Sequence, residues 1–218
     1  MSVRSEYDKE LVQLHKSLLK MGAYIEKSIT DTIEAFENQD VRKAKEVIMH
    51  DDVIDSMETN IEAECLLLIA RQQPIAGDLR MIASILKIIT DLERIADHCA
   101  DISDFTIKLS KSPYKHNVKE IPNMALKVKE MIKDTIDAYV ELDVEKAVKT
   151  AKEDDIVDDY FEKSINNIKN LMMKDSEFVE QGIYLLLIAK YLERMGDHAT
   201  NVCEWIAYRV TGNRETYN

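Results

Sequence analysis

Glu93 and Asp97 lie four positions apart, and the same two residues recur as Glu193 and Asp197. Each pair sits in a repeated heptad, Leu92-Glu93-Arg94-Ile95-Ala96-Asp97-His98 and Leu192-Glu193-Arg194-Met195-Gly196-Asp197-His198. Upstream, Asp51/Asp55 and Asp154/Asp158 have the same spacing. Residues four apart on a helix stack one turn above the other, so every pair offers two carboxylates on one face. Two such faces opposed across a bundle bring four carboxylates together. That donor set suits oxygen-preferring cations such as iron, manganese, magnesium or calcium. The competing account is that each acid is solvated or paired with a neighbouring arginine, as surface acids commonly are. Recurrence on two helices in two halves puts the two accounts on equal terms.

The acidic face is longer in the first half than in the second. Asp51, Asp55, Glu58 and Glu62 form one ridge beside the stripe Val47, Ile54, Ile61 and Leu68, and Asp101 continues the row of Glu93 and Asp97. Like charges at this spacing cost a few tenths of a kcal/mol per pair, so something should compensate them. In the second half Phe161 and Ile165 replace Glu58 and Glu62, and Asn201 replaces Asp101. Arg94 and His98 fall about 100° further round the helix, on its polar side. His98 and His198 are therefore expected to bond between elements or to orient ligands rather than to bind a metal themselves.

Little else in the chain is suited to catalysis. A carboxylate-bridged di-metal oxidase needs Glu-x-x-His pairs, and none of the five histidines has a glutamate three residues before it. There is no nucleophile elbow or phosphate-binding loop. Cys65, Cys99 and Cys203 are far apart and fit small core residues of a reducing compartment. No Lys/Arg cluster beside a helix start is spaced for oxyanion capture. The expectation is a protein that is not an enzyme and has no organic cofactor.

The elements that must hold these acids are helices. Five glycines and three prolines in 218 residues leave little material for strands and tight turns. The repeat extends far beyond the heptad: Asp31-Thr32-Ile33 matches Asp134-Thr135-Ile136, and Asp51-Asp52-Val53-Ile54-Asp55 matches Asp154-Asp155-Ile156-Val157-Asp158, both at an offset of 103. By the heptad the offset is 100, which puts a three-residue deletion near Pro74 in one half and Asp175 in the other. Apolar periodicity predicts helices over Tyr7–Glu37, Asp40–Arg71, Ile75–Leu109, Val118–Val140, Asp143–Met173 and Glu177–Val210, capped at Asp40, Asp143 and Ser176. The expected fold is all-α: two tandem antiparallel three-helix bundles, residues 1–112 and 113–218, related by a pseudo-two-fold.

The formal net charge of −12 excludes non-specific binding of a phosphate backbone and disfavours docking on an anionic leaflet. No run approaches the length of a membrane span, and Met1-Ser2-Val3-Arg4-Ser5-Glu6 has no apolar stretch behind a basic patch. A cytoplasmic location with no nucleic-acid partner and no direct membrane insertion is expected.

At these residues the chain resembles the PhoU family of phosphate-signalling regulators, from about Asp8 to Tyr208. The markers are Gln73-Pro74-x-x-x-Asp78-Leu79-Arg80, both Leu-Glu-Arg-x-x-Asp-His segments and Asn201-x-Cys203-Glu204. The resemblance implies two three-helix bundles, commonly in a dimer. It implies negative regulation of the phosphate-starvation response and modulation of phosphate uptake, through contacts with a membrane sensor histidine kinase and the ATPase of the phosphate importer. It also implies iron, zinc or another divalent metal on Asp51, Asp55, Glu93 and Asp97, and on Asp154, Asp158, Glu193 and Asp197. Ala96 departs from the glycine usual in the family and kept at Gly196, which alters close packing there. A metal-independent helical adaptor is the alternative.

Overall fold

The computed structural model describes residues 3–72 and 74–217, so Gln73 of the first family marker and the Met1-Ser2 start lie outside the described residues. Helices α1 (Val3–Asn38), α2 (Val41–Gln72) and α3 (Ala76–Leu109) pack into one antiparallel bundle. Helices α4 (Glu120–Glu141), α5 (Val144–Ala151), α6 (Asp154–Lys174) and α7 (Val179–Thr211) form the other, with a 3-10 turn at Ser176–Phe178. The two share a core. Helix α3 packs along α7, and α1 packs on α4.

The predicted stripes form that core. Leu14, Leu18, Met21, Ile25 and Ile29 of α1 are buried against Val47, Ile54, Ile61 and Leu68 of α2 and Ile82, Ile85, Ile88, Ile89 and Leu92 of α3. Full burial of one such side chain contributes about 1.5–3 kcal/mol, so these stripes fix the rotation of each helix. That rotation in turn leaves the acidic margins at the seams between helices.

Both halves turn their first corner in the same way. Gln39 and Leu142, equivalent at the offset of 103, adopt left-handed φ of 49° and 53°. Asp40 N–H donates back to Ala35 O at 2.9 Å, and Asp143 N–H donates to Ala138 O at 3.0 Å, closing the orphan carbonyls of the preceding helix. The aspartates then cap the next helix: Asp40 Oδ1 accepts from Arg42 and Lys43 N–H, and Asp143 accepts from Lys146 N–H. The third expected cap is corrected. Asp175 rather than Ser176 accepts, from Glu177 N–H at 3.0 Å.

The fifth predicted helix is also corrected, because Asp143–Met173 is two helices broken at Lys152–Glu153. There the ladder slips, with Glu153 N–H donating to Thr150 O at 3.0 Å. Helix α2 runs uninterrupted past the equivalent Met49–His50. The halves differ here in two ways. Lys127 of α4 draws Glu153 inward at 2.6 Å, and the next residue, Asp154, sinks against Gly196, where the first half has a methyl group on Ala96.

Candidate metal centre

In the first half the two acidic margins do face each other. Asp51 and Asp55 of α2 and Asp97 of α3 each bring one donor atom within 4.8 Å of the others. Among the described residues this is the one place where three metal-ligating groups converge so closely. Glu93, one turn before Asp97, is 8% exposed and lies beside the same cluster. Its Oε2 is 3.2 Å from Arg94 Nε but receives no aligned hydrogen bond, and Asp51 Oδ1 is likewise buried without a partner. Burial, then Asp97 and Asp55, pushes Asp51 up to about 6. Burial, then Asp97, pushes Glu93 up to about 7, with Arg94 opposing.

The cation already present serves only one side of this cluster. Arg94, half exposed, pairs with Glu93 and with Asp97 at 2.5 Å, both on its own helix. Among the described ion pairs none reaches Asp51 or Asp55. Buried carboxylate oxygens without partners are costly, and a cation held by oxygen ligands is what this donor set fits.

The rest of the acidic ridge does not join the cluster. Glu58 Oε1 accepts from the Thr90 hydroxyl at 3.1 Å, and Glu62 is exposed. Asp101 lies near His98, its carboxylate 3.9 Å from Nδ1.

The second half has the same four acids in a different arrangement. Asp154 is 6% exposed, with Oδ1 buried and unpartnered, and it is pushed up to about 7 by burial and then by Asp197 and Asp158. Asp158 and Asp197 are raised by burial first and by Glu193 next. Glu193 pairs with Lys190. A Cβ at position 196 would land on Asp154 Oδ1 and 3.4 Å from Val157 Cγ1. Gly196 thus makes room for the buried carboxylate. Gly196→Ala should move Asp154 outward at an overpacking cost of about 1–3 kcal/mol, against a helix-propensity gain of about 1 kcal/mol. A net loss of about 1 kcal/mol in urea denaturation is expected; a net gain would mean that Asp154 does not need the gap.

The histidines are not on a polar face, which corrects that expectation. His98 is buried in the α3–α7 seam, with ring centroids 5.1 Å from Tyr191 and 5.5 Å from His198. Neither of its ring nitrogens has a hydrogen-bond partner, and burial and then His198 lower it to about 4. His198 makes the expected bond between elements, Nδ1 to Asp91 Oδ1 at 2.9 Å, joining the halves. Asp91 and Tyr191 were missed as partners. They stand at the same place before each heptad, and only the pairing of α3 with α7 gives them a role.

Comparison with known proteins agrees with this duplicated architecture. The PhoU domain matches residues 18–106 and again 121–206, once in each bundle. The chain belongs to the PhoU family. Among its relatives, the phosphate-specific transport system accessory protein PhoU homolog of Clostridium acetobutylicum is 45% identical over 216 residues, 99% of both chains. The phosphate-specific transport system accessory protein PhoU of Escherichia coli is 31% identical over 96% of this chain and 87% of its own. The crystal structure of PhoU from Pseudomonas aeruginosa superposes with a TM-score of 0.92 at 33% identity, covering 95% of this chain and all of that one. The phosphate transport system regulatory protein PhoU from Streptococcus pneumoniae gives 0.89 at 29% identity, covering 96% and 99%. Among the described residues, no helix is long and apolar enough to cross a membrane.

Proposed function

We propose that this PhoU-family chain is a non-enzymatic cytoplasmic regulator of phosphate transport that restrains the phosphate-starvation response. In this reading it contacts a sensor histidine kinase and the phosphate-importer ATPase, acts as a homodimer, and carries a divalent cation on Asp51, Asp55 and Asp97 with Glu93 beside them. The observation that carries it is the match of the PhoU domain to both halves. The relatives named as phosphate-transport accessory proteins supply the process. The convergence of three carboxylates next to buried, unpartnered oxygens supports the cation. An all-oxygen donor set favours iron, manganese, magnesium or calcium over zinc, which prefers nitrogen and sulfur. Bound there, the ion would neutralise the like charges that α2 and α3 turn toward each other and so hold the two helices together.

The three cysteines offer no nucleophile for catalysis. Burial pushes all three thiols up to about 12, far from a nucleophilic thiolate. The Arg94 pairs favour one competing account, a metal-independent adaptor whose acids are balanced from within. Affinity capture of the full chain from phosphate-replete cells separates the two. Recovery of the importer ATPase and the sensor kinase, reduced at least several-fold by chelation and by Asp55→Asn/Asp97→Asn, is the expected result. Recovery unaffected by either treatment would favour the adaptor, and recovery of neither partner would overturn the regulatory reading.

A further inference from the structure

We propose that the face of α7 formed by Glu204 and Trp205 is a docking site for an arginine-bearing segment of a partner protein, and that residues 212–217 of this chain fill it when no partner is bound. The proposal does not depend on the metal reading. Glu204 is 3% exposed, yet among the described residues no helix supplies a partner for its carboxylate. Its Oε1 accepts from Tyr217 N–H at 3.1 Å, and its Oε2 lies 3.9 Å from Arg214 Nη2. The Arg214 guanidinium also covers the Trp205 ring, 4.4 Å from its centroid. A carboxylate beside an indole face holds a planar guanidinium by charge and by the ring quadrupole together.

The receiving face is rigid, and the segment that fills it is held by few contacts. Glu204 and Trp205 lie within α7, whose last turn closes where Gly212, at φ 78°, donates its N–H to Tyr208 O at 2.8 Å. Tyr208 packs at right angles to the Trp205 ring, centroids 5.6 Å apart, which fixes the indole. Beyond Gly212 the chain leaves the helix, and Asn213, Arg214, Glu215 and Thr216 are all exposed. Tyr217 alone of this segment packs partly against the core. An exposed ion pair and an exposed cation–π contact are each weak, so another arginine can displace Arg214 and leave α7 intact. Glu204 in turn requires a replacement, because a buried charge without a partner is costly.

The first half builds the same set of acid, aromatic ring and cation but closes it within one helix. Asp104 and Phe105 are the equivalents of Glu204 and Trp205 at the offset of 100. Lys108, one turn later on α3, pairs with Asp104 at 2.5 Å and lies over the Phe105 ring, 4.9 Å from its centroid. The equivalent of Lys108 is Tyr208, which brings no charge. The second half therefore takes its cation from outside the helix, from a residue that can leave. Asp104 is also half exposed, whereas Glu204 is buried, so of the two acids only Glu204 depends on a cation brought to it.

Trp205 is the single tryptophan of the chain, so its fluorescence reports this site directly. The probe is a synthetic peptide with the sequence of residues 212–217, titrated into the full wild-type chain and into Arg214→Ala/Tyr217→Ala. The double variant should show a saturable change in Trp205 emission. Wild type should need roughly ten times more peptide or beyond, because its own segment competes for the site. Peptide carrying Arg214→Ala should give no response, and adding Glu204→Gln to the double variant should abolish it. Arg214→Ala alone, which alters one exposed side chain, should respond in the same direction and serves if the double variant fails to fold. No response in either variant overturns the proposal. So does a wild-type response equal to that of the variants, or a response that survives loss of the peptide's arginine or of the Glu204 charge.

Discussion

Saturating Mn2+ should raise the thermal midpoint of the wild-type chain by roughly 5–10 °C at pH 7.5, the size expected for a ligand at about a hundred times its Kd on a chain of this length. The physical source is the like-charge repulsion among the clustered carboxylates. Asp51, Asp55 and Asp97 bring their oxygens within 4.8 Å, and the shifts of Asp51 and Glu93 record how strongly charge is resisted there. Neutralising the cluster should therefore act in opposite directions with and without the ion. In a chelating buffer, Asp55→Asn/Asp97→Asn removes like-charge repulsion and should melt above wild type. In Mn2+ the order should reverse, because the variant has no ligand set to use the ion. A midpoint that ignores Mn2+ in both proteins, or a variant that responds as wild type does, would count against the cluster as a cation site.

Asp154→Asn should stabilise the metal-free chain at pH 8 by about 1–2 kcal/mol, or on the order of 4 °C. The sign follows from the direction of the shift. Asp154 goes from an ordinary 3.8 to about 7 in the folded chain, so the folded state holds its proton longer than the unfolded one. Its destabilising effect is absent below about pH 4, grows as pH rises toward 7, and is complete above that. The advantage of the asparagine should therefore be large at pH 8 and small at pH 5. Comparing the two proteins at each pH isolates this carboxyl from His98 and His15, whose lowered values work in the opposite sense. An advantage constant from pH 5 to 8 would mean that Asp154 does not titrate as its burial requires.

Much of this architecture was legible because repetition and burial leave strong marks in a sequence. Equivalent segments at offsets of 103 and 100 announced two halves, and the stripes of α1, α2 and α3 face the core as their periodicity predicts. Asp40 and Asp143 were recognisable as caps because a short acidic side chain before an apolar-periodic run has one common use. What was not legible depends on contacts between distant elements. The break before Asp154 arises from space at Gly196 and the pull of Lys127, neither of which alters the helical pattern of residues 143–173. His98 has a polar angular position on α3, but that side becomes the seam with α7. The acidic pairs were visible from spacing alone, whereas their unequal arrangement in the two halves needed the side-chain packing.

The most direct measurement is an anomalous difference map from crystals of the full chain grown with Mn2+ at neutral pH. The account predicts a peak enclosed by Asp51, Asp55 and Asp97, at ligand distances of roughly 2.1–2.4 Å. A map with no peak at the first cluster, or with the ion between Asp154, Asp158 and Asp197 instead, would contradict it.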